Sequence, residues 1–208
     1  IYDDGRGTGG TNDDRVLSVD SIEVNEAVGY AQFTVTANVG QTLTLALGNG
    51  TTNPTATSGT DYTNALEYWN GSAWVAYTAG FTVPGTANAA VSLYVRIAVT
   101  NDTVFENAED FKLTAAYTSG ASRSATGVAT IVDDGTGTNY TGDVTSGSPD
   151  SNTTSLNDDR ALAVNSITVN EGGGYAVFTV SANAGQTINL ALSDGTTNPT
   201  ATSGTDYT

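Results

Sequence analysis

The sequence predicts an all-β protein: an antiparallel, seven-stranded β-sandwich carried as a tandem repeat. Three observations predict it. Apolar and polar residues alternate with a period of two along successive segments, Gly and Asn punctuate the gaps between them, and a long stretch of the chain occurs twice. Residues 12–63 and 157–208 align without a gap, and about three-quarters of the positions are identical. A shorter echo sets IYDDGRGT at 1–8 against IVDDGTGT at 131–138.

Leu17, Val19, Ile22 and Val24 form the first apolar series, with a phase slip at Asp20-Ser21 that predicts a bulge. Phe33 and Val35 alternate with Thr34 and Thr36, and Leu43, Leu45 and Leu47 with Thr44 and Ala46. YWNGSAWVAY at 68–77 reads as a tight hairpin about Asn70-Gly71, flanked by Trp69 and Trp74. Val91, Leu93, Val95, Ile97 and Val99 make the clearest period-two run; Phe111, Leu113, Ala115 and Tyr117 make another, and Val128 to Val132 closes the unit. No helical periodicity interrupts them. Strands with one buried face at this density argue for a sandwich.

The repeat sets the expected organisation. Residues 1–8 are the tail of a preceding repeat, 9–14 a short linker, and 15–135 a complete domain. Residues 136–159 are a Gly/Ser/Thr/Asn-rich linker. Residues 160–208 are the first part of a further repeat, with about three strands whose apolar faces lack an opposing sheet. That ending is expected to be a cut through a longer array. The alternative is a half-domain completed by another copy of the chain through strand exchange.

Composition narrows the function. Twenty-two acidic and six basic residues leave a net charge of −16, which repels nucleic acid and anionic membrane surfaces and favours cations or solubility. Without Cys there is no disulfide framework and no thiolate chemistry; without His the commonest general base and the usual zinc ligands are gone. No apolar run approaches the roughly 18–20 residues of a membrane-spanning helix. An acidic, Thr/Asn/Gly-rich, Cys-free chain points to an extracellular place at a bacterial cell surface.

The acids concentrate in loops. Glu26 follows the first strand, and Asp61 lies in TATSGTDYT, a phrase repeated at 200–208. Asn101, Asp102 and Glu106 follow the strand that ends at Val99, Glu109 and Asp110 come just after, and Asp133 and Asp134 end the last strand. Alternate loops of a sandwich project from one end, so parity gathers Glu26, Asp61, Asp102, Glu106, Asp133 and Asp134. So many carboxylates together call for a counter-ion. Calcium suits them: it takes six to eight oxygens and tolerates irregular loops, whereas magnesium demands octahedral order.

VNEAVGYAQFTV, TATSGTDYT, VTNDTVFENAEDF and TIVDDG, in that order, resemble the Calx-β domain across residues 16–135 and, in part, 161–208. The resemblance implies a seven-stranded sandwich that binds calcium at one end. Carried over position by position, it implies the same six ligands, with Asn101 where calcium-binding members often carry an acid. In the partial repeat it implies Glu171 and Asp206, and in the preceding tail Asp3 and Asp4.

Three further signals have two readings each. The Trp69/Trp74 hairpin is a platform for a glycan or other surface ligand, or it packs against its own sheet; packing is favoured. The paired NDDR at 12–15 and 157–160 adds ligands or a salt bridge where two repeats meet, or it is a solvated strand start. Paired carboxylates serve glycosidases, but here they crowd into loops with no evident cleft, so the expectation is a non-enzyme. The functional expectation is a structural repeat of a calcium-stabilised adhesin or filament, whose partners are neighbouring repeats. The alternatives are the binding module above and a calcium sensor.

Overall fold

The structure is a computed structural model that describes residues 2–6, 13–51, 55–86, 89–140, 151–152, 157–196 and 200–208. The expected linkers 9–14 and 136–159 fall partly outside the described residues. The chain forms two units, Ile1–Arg160 and Ala161–Thr208.

The first unit is a two-sheet sandwich. Its strands are β1 (Leu17–Val19), β2 (Ile22–Asn25), β3 (Tyr30–Asn38), β4 (Thr42–Asn49), β5 (Tyr62–Trp69), β6 (Trp74–Ala76), β7 (Phe81–Thr82), β8 (Ala90–Val99), β9 (Glu109–Tyr117) and β10 (Ser124–Val132). One sheet has the order β1-β3-β8-β5-β6 and the other β2-β10-β9-β4-β7. The strand count exceeds seven because the first strand is cut in two and the region 62–82 supplies a hairpin and a short edge strand.

The phase slip at Asp20-Ser21 is not a bulge. It is where the chain leaves one sheet for the other. β1 pairs antiparallel with β3, whereas β2 pairs with β10 in parallel. The two apolar series face the same core from opposite sheets, which the shift of phase permits. Asp20 stays with the first sheet, its Oδ1 accepting from Thr34 N–H at 2.8 Å, while Ser21 Oγ accepts from Val128 N–H at 3.1 Å in the second. The crossing passes over Gly127, where a Cβ would stand 1.8 Å from the Asp20 carbonyl oxygen. Only glycine fits there.

Between the sheets lie Phe33, Val35, Leu43, Val95, Ile97, Phe111 and Leu113, all fully buried. Phe33 meets Phe111 edge-on at 6.1 Å, and Tyr62 stacks on Phe111 at 4.3 Å. Each such aromatic contributes about 2–3 kcal/mol of transfer free energy. Within the expected second linker, β11 (Asn139–Tyr140) pairs with β12 (Ser151–Asn152).

The second unit repeats the first pairing of the complete domain. β13 (Leu162–Val164) and β14 (Val180–Ala182) pair as β1 and β3 do. Phe178 is 48% exposed where its counterpart Phe33 is 0% exposed.

Candidate metal centre

Strand register brings the acidic loops to one end of the sandwich. Asn25 lies opposite Val132, Glu109 opposite Ile131, and Tyr62 opposite Val99. The turn after β2, the loop before β5, the loop between β8 and β9, and the exit of β10 therefore converge.

Each carboxylate is set by a local device. Asn25 caps a short 3-10 turn over Glu26–Val28, its Oδ1 accepting from Ala27 N–H at 3.1 Å. The turn directs Glu26 inward, where it is buried and its Oε1 accepts from Asp102 N–H at 2.7 Å. The loop after β4 is held by buried Asp110, whose Oδ2 accepts from Thr51 N–H at 3.1 Å and whose carbonyl accepts from Ala56 N–H at 2.9 Å. A Cβ on Gly50 would fall 1.8 Å from Asp110 Oδ1, so this approach also requires glycine.

Asp61 then closes its own turn. Its Oδ2 accepts from Thr57 N–H at 2.5 Å, and its amide donates to Thr57 O at 3.0 Å. Gly59 supplies a φ of 92° within this turn. Asp133 Oδ2 accepts from Glu106 N–H at 3.2 Å, tying the β8–β9 loop to the end of β10.

Two carboxylate groups result. Glu26, Asp133 and Asp159 each offer an oxygen within 4.8 Å of the others, and so do Asp61, Glu106 and Glu109. The pocket between them is lined by Glu26, Asp61, Thr100, Glu106, Asn107, Glu109, Ile131 and Asp133.

Charging these groups is costly. Burial pushes the Glu26 carboxyl up to about 7, and the charges of Asp133, Asp102 and Glu106 add to the rise against the pull of the Asp102 amide. Burial, then Asp61, raises Glu109 to about 7. Glu106 is raised by burial and by Asp61, Asp102 and Asp133; Asp133 is raised by burial, opposed by the Glu106 amide.

Asp133 is only 3% exposed, and its Oδ1 is buried without a hydrogen-bond partner. A buried carboxylate oxygen that no donor satisfies, beside oxygen ligands only, fits a hard cation such as calcium.

Of the residues predicted from sequence, Glu26, Asp61, Glu106 and Asp133 contribute oxygens to these groups. Asp102 borders them through its amide, while its own Oδ1 accepts from Val104 N–H at 2.7 Å. Asp134 turns away, its Oδ1 accepting from Thr136 N–H at 3.0 Å. Asn101 accepts from the Asn157 side chain at 3.0 Å.

Glu171 and Asp206 belong to none of these carboxylate groups among the described residues. Both are exposed, and Asp206 Oδ2 only closes its own turn on Thr202 N–H at 2.8 Å. Asp3 is exposed, and Asp4 pairs with Arg6 at 3.2 Å.

Two residues were missed. Glu109 opens β9 at the pocket, and the run of acids around it was the available signal. Asp159 was legible only as part of the repeated NDDR. The Trp69 and Trp74 rings pack on each other across the hairpin at 5.6 Å, and Arg96 covers Trp74 at 4.4 Å while pairing with Glu67 at 2.6 Å.

The Calx-beta domain family matches residues 12–68, 86–136 and 159–208. Among solved structures, the apo form of the Calx CBD1 domain is 19% identical with a TM-score of 0.39, over 57% of this chain and 97% of that one. CBD12 from CALX1.2 is 18% identical with a TM-score of 0.37, over 56% of this chain and 45% of that one. ACE19, the collagen-binding subdomain of the Enterococcus faecalis surface protein ACE, is 9% identical with a TM-score of 0.30, over 57% of this chain and 95% of that one. Comparison with curated protein sequences finds no match.

Proposed function

The chain belongs to the Calx-beta domain family, and we propose that its complete domain is a non-enzymatic, calcium-stabilised spacer in a repeat array of an extracellular adhesin or filament at a bacterial surface. The observation that carries this reading is the pocket itself. Five carboxylates and no basic side chain line it, and one of them, Asp133, holds a buried oxygen with no donor.

In this reading Glu26 and Asp133 hold one ion, and Asp61, Glu106 and Glu109 a second. Bound calcium supplies the positive charge that lets these groups ionise together. The chain's own part is to present the oxygens. The Asp102 amide fixes Glu26, the Glu106 amide fixes Asp133, and the Thr57 turn fixes Asp61. Without the cation, repulsion loosens the loops that carry them; with it, the domain end is stiff. Neighbouring repeats of the same protein are the partners. The extracellular setting is supported by the acidic, Cys-free composition and the repetition.

The test is calorimetric titration of the chelator-treated 208-residue chain with calcium, with thermal melts in chelator and in millimolar calcium. A hundredfold excess over the dissociation constant adds about 2.7 kcal/mol per site, or roughly 8 °C for a domain of this size. Identical melts in the two conditions would refute the reading.

A further inference from the structure

The segment Asn157–Arg160 opens the second copy of the repeat in sequence, yet its bonds go to the first domain. The side chain of Asn25 and the backbone of Asn157 exchange hydrogen bonds, Asn25 Nδ2 to Asn157 O at 3.1 Å and Asn157 N to Asn25 Oδ1 at 3.2 Å. The Asn157 side chain donates to Asn101 Oδ1 and to Asp159 Oδ2, both at 3.0 Å. Arg160 donates to the Asp134 carbonyl at 2.7 Å. These contacts place an Asp159 carboxylate oxygen within 4.8 Å of those of Glu26 and Asp133.

We propose that Asp159 is a ligand, supplied by the following repeat, of the cation held by Glu26 and Asp133. The site at the end of one domain is then complete only when the opening segment of the next is docked on it. The inference rests on the calcium reading above. The buried, unpartnered Oδ1 of Asp133 carries it beyond a mere cluster of acids, because Asp133 belongs to the group Asp159 completes.

The docking is also built twice. Asp13 and Arg15 correspond to Asp158 and Arg160, and Asp4 to Asp134. Arg15 N–H and Arg160 N–H donate to Asp13 Oδ1 and Asp158 Oδ1, each at 3.1 Å. The Nε–Oδ1 distances are 2.8 and 2.7 Å. Both arginines then reach the carbonyl of the preceding tail, Arg15 to Asp4 at 3.4 Å and Arg160 to Asp134 at 2.7 Å.

Nine positions separate Asp4 from Asp13, and twenty-four separate Asp134 from Asp158. The same docking across two such different intervals is a property of the motif, not of the linker. Arg15 continues past the tail into the complete domain, donating to Gln41 Oε1 at 2.8 Å and to the carbonyls of Ser119 and Ala121 at 2.7 and 3.1 Å. The first copy of the motif thus bonds to the tail on one side and to its own domain on the other, and in the second copy Asp159 adds the cation on the side of the preceding domain.

The experiment compares the full chain with its Asp159→Asn and Asp14→Asn variants. Asp14 is the repeat counterpart of Asp159, so its variant removes the same charge away from the Glu26 group. Calcium titration by calorimetry is expected to show one site weakened roughly tenfold or more in Asp159→Asn and unchanged in Asp14→Asn. In the parent chain, calcium is expected to slow hydrogen exchange at the amides of residues 157–160. If Asp159→Asn titrates like the parent and calcium leaves exchange at 157–160 unaltered, the inference is overturned while the calcium reading stands. If the parent takes up no calcium, both fall.

Discussion

Replacing Asn25 by Ala tests the arrangement at its hub. Asn25 is fully buried. Its Nδ2 donates to the carbonyls of Val132, Thr136 and Asn157 at 3.4, 3.0 and 3.1 Å, and its Oδ1 accepts from Ala27 and Asn157 N–H at 3.1 and 3.2 Å. Alanine removes all of these while leaving the backbone partners in place. Asn157 can return to water, but the Val132 carbonyl is buried, and the Thr136 carbonyl and the Ala27 amide are half-buried. Each buried polar group left unpaired costs about 1–3 kcal/mol, and the lost cap about 1 kcal/mol. Counting the Ala27 amide once, as the cap, and the Val132 and Thr136 carbonyls at about 1 kcal/mol each, the sum is about 3 kcal/mol, or roughly 10 °C in Tm. Calorimetry in chelator measures the global cost, and hydrogen exchange at 157–160 measures the local one. Asn25→Asp is expected to be worse than Asn25→Ala in chelator, because it points a carboxylate at three carbonyls beside Glu26. A loss under about 1 kcal/mol, with exchange at 157–160 unchanged, would refute the placement of Asn25 as the residue joining β2, the β10 exit and the returning segment.

Gln32 is buried with both side-chain amide atoms unpartnered, and its repeat counterpart is Val177; Gln32→Val is expected to raise stability by about 1–2 kcal/mol in urea unfolding. The Arg15 hydrogen bonds hold the Asp13 carboxyl down at about 2, from an ordinary 3.8. A lowered carboxylate stabilises the fold above its unfolded value, so this contribution, at most about 2 kcal/mol after screening, is present above pH 4 and lost as pH falls through about 2. Arg15→Ala removes that acid-side slope from the melting profile. Glu26 and Glu109 behave oppositely. Their folded values are near 7 against an ordinary 4.5, so in chelator the fold binds protons that the unfolded chain does not. Stability then increases as pH falls from about 8 towards 4.5, and saturating calcium is expected to reverse that slope, because ligation needs the ionised forms. Melts across pH with and without calcium check both signs.

The two copies of the repeat separate what is locally encoded from what is not. TATSGTDYT folds alike in both: Thr57 N–H to Asp61 Oδ2 at 2.5 Å and Thr202 N–H to Asp206 Oδ2 at 2.8 Å, with glycine φ of 92° and 82°. The turn after β2 recurs likewise, capped by Asn25 and by Asn170. These devices recur in the second unit because their bonds span only a few residues, and for that reason they are legible in sequence. The tyrosine that follows differs: Tyr62 stacks on Phe111, while Tyr207 bonds Asp194 at 2.9 Å. Its partner comes from a strand far along the chain, and spacing alone does not supply one.

The same division runs through the acid cluster. Loop parity is enough to bring Glu26, Asp61, Glu106 and Asp133 to one end, since it follows from strand count alone. Parity says nothing about adjacent residues, so it does not distinguish Asp133, which ends buried at the pocket, from Asp134, which folds onto Thr136. It also reads the slip at Asp20-Ser21 as a local irregularity, because the parallel pairing of β2 with β10 is a contact between residues about a hundred positions apart. Asp159 is the furthest case. Composition assigns residues 136–159 to a linker, and a flexible linker of that length would let two domains drift apart in proportion to its reach. The motif's arginine nonetheless reaches the carbonyl of the preceding tail both after nine positions and after twenty-four. That bond is set by the motif and its local Asp–Arg pair, not by the number of residues before it.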